Sequence, residues 1–159
     1  MLTIRPATVD DASLLRQLIW ELADYEKQPD EVHTTEADIA RDGFGEVPQF
    51  AAIVAEFDGQ PAGYALYFPY YSTWRGRGLY LEDLFVRPAF RRQGIGAALL
   101  ARVARIAQEQ KCVFMKWDVL DWNQLAIDMY KSIGAEVLAD WRTVFLEGDG
   151  LRQLAEKSR

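Results

Sequence analysis

Residues 79–109 read LYLEDLFVRPAFRRQGIGAALLARVARIAQE, and this run restricts the fold more than any other part of the chain. An apolar, β-rich stretch stops at Pro88. Two arginines and two spaced glycines follow, and Ile95, Leu99, Leu100, Val103 and Ile106 then recur at helical spacing. A strand that turns on glycines into a helix is a unit of α/β architecture. The helix start carries unpaired N–H groups and a partial positive charge, so it attracts anions. Gly94 and Gly96 have no Cβ, which opens the backbone to a phosphate, and Arg91 and Arg92 add charge beside it. The spacing is not that of a Walker loop, because no Lys-Ser/Thr follows Gly96. Nor is it a dinucleotide fingerprint, since Leu99 stands where the third glycine belongs. A helix start that carries two glycines for no further reason stays open as the plain alternative.

The remaining pattern sets this unit in a single α/β domain over 1–159 with a mixed sheet. LTIR reads as a strand ended by Pro6. Thr8 and Asp11 have capping-box spacing before an amphipathic helix over 9–24. Thr35 and Asp38 open a second helix that ends near Gly43 or Gly45. QFAAIVAEF and AGYALYF flank DGQP, a hairpin signal. YYSTWRGRG reads as a loop, LYLEDLFV as a strand and 94–109 as a helix. CVFMKWDV reads as a strand, Asn123–Ile133 as a helix closed by Gly134, WRTVFLE as a last strand and GLRQLAEKSR as a helical tail. The expected order is β-α-α-β-β-β-α-β-α-β.

The formal charge of −6 argues against a nucleic-acid partner and is compatible with a cationic one. The one cysteine, Cys112, reads as a core residue, and the one histidine, His33, as a surface loop residue. No Cys/His cluster suggests a metal. The N-terminus has no apolar leader core and no 20-residue apolar span occurs, so a cytoplasmic protein without a membrane partner is expected.

Strict alternation along 79–86 puts Tyr80, Glu82, Leu84 and Val86 on one face of the strand, and Leu79, Leu81, Asp83 and Phe85 on the other. Two adjacent carboxylates amid apolar neighbours need a cation partner or an open cleft, because burying one unpaired is costly. A salt bridge to an arginine and contact with a cationic substrate are both open for Glu82. Farther on, Asn123, Ile127 and Tyr130 share a helix face. Asn123 would serve as an N-cap and Tyr130 as a core aromatic if nothing else used them.

The stretch YLEDLFVRPAFRRQGIGAALL resembles the acetyl-CoA site of the GNAT acyltransferase superfamily, with Arg91, Gly94 and Gly96 in the three places of its [QR]-x-x-G-x-[GA] signature. IRPAT, ELADYE, DGFGE, YLED, WN and MYKSIGA together are similar to its diamine (spermidine/spermine) N-acetyltransferase subfamily. The resemblance implies the GNAT fold and acetyl-CoA as co-substrate, with no metal. The CoA contacts it implies are Leu84, Phe85 and Val86 on the strand, Arg91, Arg92, Gln93, Gly94, Ile95, Gly96 and Ala97 in the loop, and Asn123, Gln124, Leu125 and Ala126 at the later helix start. It makes Glu82 the substrate-side glutamate and Tyr130 the general acid to the CoA sulfur, and leaves Asp83 structural. It lines the amine channel with Tyr25 and Glu26, gives Asp140 as an acidic substrate contact, and leaves Trp117 and Asp118 as substrate neighbours. It also implies a homodimer with 141–147 at the interface. The expected function is N-acetylation of a small cationic amine, a polyamine or diamine, by direct attack in a ternary complex. Two rivals stand beside it: acetylation of an amino-acid-like amine such as a lysine analogue, and a non-catalytic acyl-CoA-binding sensor, which would need neither Tyr130 nor Glu82.

Overall fold

In the computed structural model, which describes residues 1–158, the chain runs β1 (Leu2–Pro6), α1 (Ala12–Tyr25), α2 (Glu36–Phe44), β2 (Ala51–Phe57) and β3 (Gln60–Ser72). It continues through β4 (Gly76–Val86), α3 (Ile95–Glu109), β5 (Phe114–Lys116), α4 (Gln124–Ser132) and α5 (Gly148–Glu156). Five strands form one sheet in the order β1-β2-β3-β4-β5, antiparallel except for the parallel β4–β5 pair. The chain divides into two compact units. The first, Met1–Asp118, holds the sheet and α1–α3; the second begins at Val119 and holds α4 and α5.

Local chemistry sets most boundaries. Ahead of α1, the Thr8 N–H donates to Asp11 Oδ2 at 2.8 Å, and Arg5 forks onto the same carboxylate at 2.8 and 2.9 Å. Thr35 caps α2: its N–H donates to Asp38 at 2.9 Å, and the Asp38 N–H returns to Thr35 Oγ1 at 3.1 Å. Asp58 and Gly59 turn the β2–β3 hairpin with φ of 49° and 78°, a handedness that matches strand twist. At the end of α4, Gly134 at φ 92° lets its own N–H reach the Lys131 carbonyl and the Ala135 N–H reach that of Tyr130, closing a Schellman motif.

One face of the sheet packs on α1 and α2. Leu15, Leu18 and Ile39 meet Ala52, Val54, Tyr64, Leu66 and Phe85 there. Helix α3 covers β2, β3 and β4 on the other face with Ile95, Leu99 and Val103 fully buried, each side chain contributing about 2 kcal/mol of apolar burial.

Three expectations are corrected. The stretch read as a loop, YYSTWRGRG, is mostly strand, because β3 and β4 keep pairing from Tyr70↔Gly78 to Ser72↔Gly76 and only residues 73–75 turn. β5 is limited to Phe114–Lys116, paired with Gly78–Tyr80, so Cys112 lies before it, half-buried, with its N–H on the Ala107 carbonyl. Residues 141–147 form no strand. They pair with no strand among the described residues, and Val144 and Phe145 are 94% and 76% exposed. β-rich composition becomes a strand only where a neighbour completes the ladder. The observed order therefore ends β-α-α rather than β-α-β. No helix among the described residues is long and apolar enough to cross a membrane.

Candidate active site

The site of interest begins at a fault in the β3–β4 ladder. Leu66 pairs with Asp83 and Tyr67 with Leu81, so the register skips Glu82, which forms a β-bulge. The bulge shifts the phase of β4. Asp83 and Phe85 share the face of their partners Leu66 and Tyr64, toward α1 and α2, whereas Leu81 follows Tyr67 on the other face. Tyr80 goes with Phe68, on which its ring stacks at 5.2 Å. Strict alternation had put Glu82 and Asp83 on opposite faces. In the structure both line one cavity of about 280 Å³, together with Glu26 at the end of α1 and the loop 28–34.

Crowding like charges in a half-buried space favours their neutral forms. Although Asp83 keeps some exposed surface, protein atoms surround its carboxyl. This burial, reinforced by the charges of Glu82 and Glu26, pushes its pKa up to about 6 against the opposing effect of a hydrogen bond from the Tyr64 hydroxyl at 2.8 Å. The Glu82 carboxyl is raised by burial and then by the charge of Asp118, and Glu26 by burial and then by Glu82. Burial also raises the Tyr80 phenol, whose hydroxyl donates to Asp118. Five acidic or phenolic groups (Glu26, Tyr80, Glu82, Asp83, Asp118) are thus electrically connected, without a basic partner in any of these shifts. A set of this kind has the chemistry to hold a cation and to accept a proton.

The glycine loop lies at the other end of the β4 segment. β5 leaves β4 after Tyr80, so the edge of Leu84, Phe85 and Val86 that faces away from β3 has no strand partner among the described residues. Gly94 caps α3 at φ 74°, a conformation that suits glycine, and the first N–H used within the helix is that of Ala98, bonded to the Gly94 carbonyl. The N–H groups of Ile95, Gly96 and Ala97 are therefore left to the solvent side. A Cβ on Gly94 would meet nothing within 4 Å, and one on Gly96 only Val86 Cγ2 at an ordinary 3.6 Å. Internal packing thus leaves room at both glycines, and these residues fit a pyrophosphate approaching the backbone. Arg91 is placed between the two regions: its Nε donates to the Val86 carbonyl at 3.0 Å and its guanidinium lies 4.6 Å from the Tyr25 ring centre. Arg92 and Gln93 are exposed on the same turn.

Of the expected substrate residues, Glu26, Glu82 and Asp118 come together and Tyr25 reaches Arg91, while Trp117 follows β5 directly. Asp83 and Tyr64 were missed as site residues. Nothing in AGYALYF marks Tyr64, and the sign for Asp83 was its adjacency to Glu82. His33 is an exposed loop residue as expected, but it also lines the cavity. In the second unit, Asn123 Oδ1 accepts from the Ala126 N–H at 3.3 Å and so caps α4, with Gln124 and Leu125 exposed in its first turn and Tyr130 half-buried near its end. Asp140 is exposed in a turn of that unit.

Comparison with known proteins gives the family and the fold. The acetyltransferase (GNAT) family profile matches residues 14–135. A thialysine N-epsilon-acetyltransferase of Bos taurus is 42% identical over 97% of both chains. The spermidine/spermine N(1)-acetyltransferase-like protein 1 of Homo sapiens is 40% identical over 83% of this chain and 20% of its own length. Among solved structures, an integron cassette protein from the mobile metagenome of V. cholerae superposes with a TM-score of 0.80 at 28% identity, covering 98% of each chain.

Proposed function

The chain belongs to the acetyltransferase (GNAT) family, and from that premise we propose that it transfers the acetyl group of acetyl-CoA to a primary amine of a small polyamine or diamine, by direct attack in a ternary complex. The observation that carries the substrate class is the meeting of Glu26, Glu82 and Asp83 in one cavity. These carboxylates attract an alkylammonium and orient it. At neutral pH an amine of pKa about 10.4 is protonated, so a base must take its proton before attack. Glu82, on the bulge, takes it directly or through water. The amine nitrogen then bonds to the thioester carbon, the C–S bond breaks, and the Tyr130 phenol gives its proton to the departing thiolate; the second nitrogen proton, released as the neutral amide forms, restores the phenol through solvent. Leu84, Phe85 and Val86 hold the pantetheine arm, the loop from Arg91 to Ala97 the pyrophosphate, and Asn123 to Ala126 complete the CoA contacts. Tyr25, Trp117, Asp118 and Asp140 border the amine in this reading.

A second reading, acetylation of a lysine-like amine by the same residues, is favoured by the match to the thialysine enzyme over nearly the whole chain. A sensor without catalysis does not account for a proton-accepting cluster beside a bulged strand. The proposed setting is cytoplasmic, one catalytic domain per chain.

The pyrophosphate assignment is tested by Gly96→Val. Because a Cβ there makes only an ordinary contact, the fold should persist. Affinity for acetyl-CoA, measured by calorimetry, should fall at least about tenfold, equivalent to about 1.4 kcal/mol, as the branched side chain blocks backbone approach. Unchanged affinity in a folded variant would remove the assignment.

The proposal includes a homodimer that uses residues 141–147. The exposure of Val144, Phe145 and Leu146 in a segment without helix or strand supports it, since clustered apolar side chains left in water favour a partner surface. Light scattering at micromolar concentration should return twice the chain mass. A monomer would contradict it.

A further inference from the structure

The amine cavity carries one group that the reaction leaves unused. His33, the single histidine of the chain, lines it with Glu26, Glu31, Glu82 and Asp83, and it is the one basic side chain among the described residues that do so. Its loop is fixed from below, where Arg16 Nε of α1 donates to the neighbouring Thr34 carbonyl at 2.6 Å. We propose that His33 is a specificity-determining residue of this site, setting how well an amine that also carries a carboxylate competes with a plain diamine. The inference rests on the amine-cavity reading above and gives it a substrate boundary.

The reasoning is electrostatic. The groups facing the cavity are Glu26 from α1, Glu31 on the same loop as His33, and Glu82 and Asp83 from β4. A diamine brings a second cation, which the carboxylates attract and an imidazolium repels. A lysine-like amine brings an α-carboxylate, which those four side chains repel and for which His33 is the one lining side chain that can carry a positive charge, beside the neutral donors Gln28 and Thr34. Histidine is the side chain whose charge ordinarily changes between pH 5 and 8. A protonated imidazole at this place therefore favours the amino acid relative to the diamine. His33 is exposed, so solvent and salt weaken the effect, and a preference change of about three- to tenfold at low ionic strength is expected.

With one histidine in the sequence, its imidazole Cε1 proton gives an unambiguous NMR signal in the full chain. Titrated against pH, that signal should move to a higher midpoint with S-(2-aminoethyl)-L-cysteine and to a lower one with 1,3-diaminopropane. In acetylation assays, His33→Lys should shift the ratio of kcat/KM for the two amines toward the amino acid and His33→Leu toward the diamine, both variants keeping the pH dependence that Asp83 contributes. A uniform loss toward both amines would be the mark of a merely structural residue. A midpoint unmoved by both probes, or a ratio that stays within twofold in both variants, would overturn the proposal. The NMR measurement needs no acetyl transfer. Opposite midpoint shifts without thiol release would support His33 as a ligand-class selector while rejecting the acetyltransferase assignment of the cavity.

Discussion

Tyr130→Phe is expected to lower kcat about 10²-fold while leaving the fold and acetyl-CoA binding intact, the low end for loss of a general acid. The substitution removes one hydroxyl and keeps the ring. The helix that carries Tyr130 is secured at both ends, by the Asn123 side chain on the Ala126 N–H and by the Gly134 Schellman turn, whose bond to the Tyr130 carbonyl uses backbone only. Nothing in that capping depends on the phenol. An ordinary phenol near pKa 10 is close enough to a thiolate near 8.5 to share the proton during C–S cleavage. The loss should therefore appear in kcat and vanish when CoA is replaced by a carrier whose thiol is a much better leaving group. Turnover equal to the parent's would make Tyr130 a packing residue.

Glu82→Gln should lower kcat/KM by about 10²-fold at pH 7, with the gap closing toward pH 9.5. The direction follows from its surroundings. Burial and the Asp118 charge raise the Glu82 carboxyl, so its basic form accumulates later on the way up in pH than an ordinary carboxylate's. The parent enzyme gains rate as that form appears and then needs it less as free amine becomes abundant. The glutamine variant has no base and follows amine deprotonation alone, a steeper rise toward high pH. Glutamine keeps the shape and leaves the β3–β4 register on either side of the bulge in place. Parallel pH profiles for the two proteins would exclude Glu82 as the proton acceptor.

What could be read from the sequence was what short-range chemistry decides. Thr8–Asp11, Thr35–Asp38, Asp58-Gly59, the Gly94 start of α3 and the Gly134 end of α4 each depend on a few neighbouring residues, and each is found where its spacing placed it. The bulge at Glu82 was not legible, because a skipped register is decided by the partner strand rather than by β4 itself. Two adjacent carboxylates inside an apolar strand were its only trace, and reading them by alternation separated side chains that the structure joins. The same holds for His33, which a polar loop brings to the cavity by way of Arg16, seventeen positions earlier. The extent of β3 through Ser72, the shortness of β5 and the unpaired 141–147 segment are likewise decided by what lies alongside each stretch. The glycine loop pointed to an anion site beside the plain helix-start alternative, but that a Cβ on Gly96 would make only an ordinary contact, 3.6 Å from Val86 Cγ2, depends on a residue ten positions away.

The most direct test of amine acetylation at the carboxylate cavity is thiol release from acetyl-CoA in the presence of spermidine, a short diamine, a lysine analogue and a neutral amine, each at two salt concentrations. The expected result is saturable release with the cationic amines, with KM rising as salt screens the attraction of Glu26, Glu82 and Asp83 over roughly 8 Å at physiological ionic strength. Acetyl-CoA that binds but releases no thiol above the amine-free rate with any of the four would contradict it.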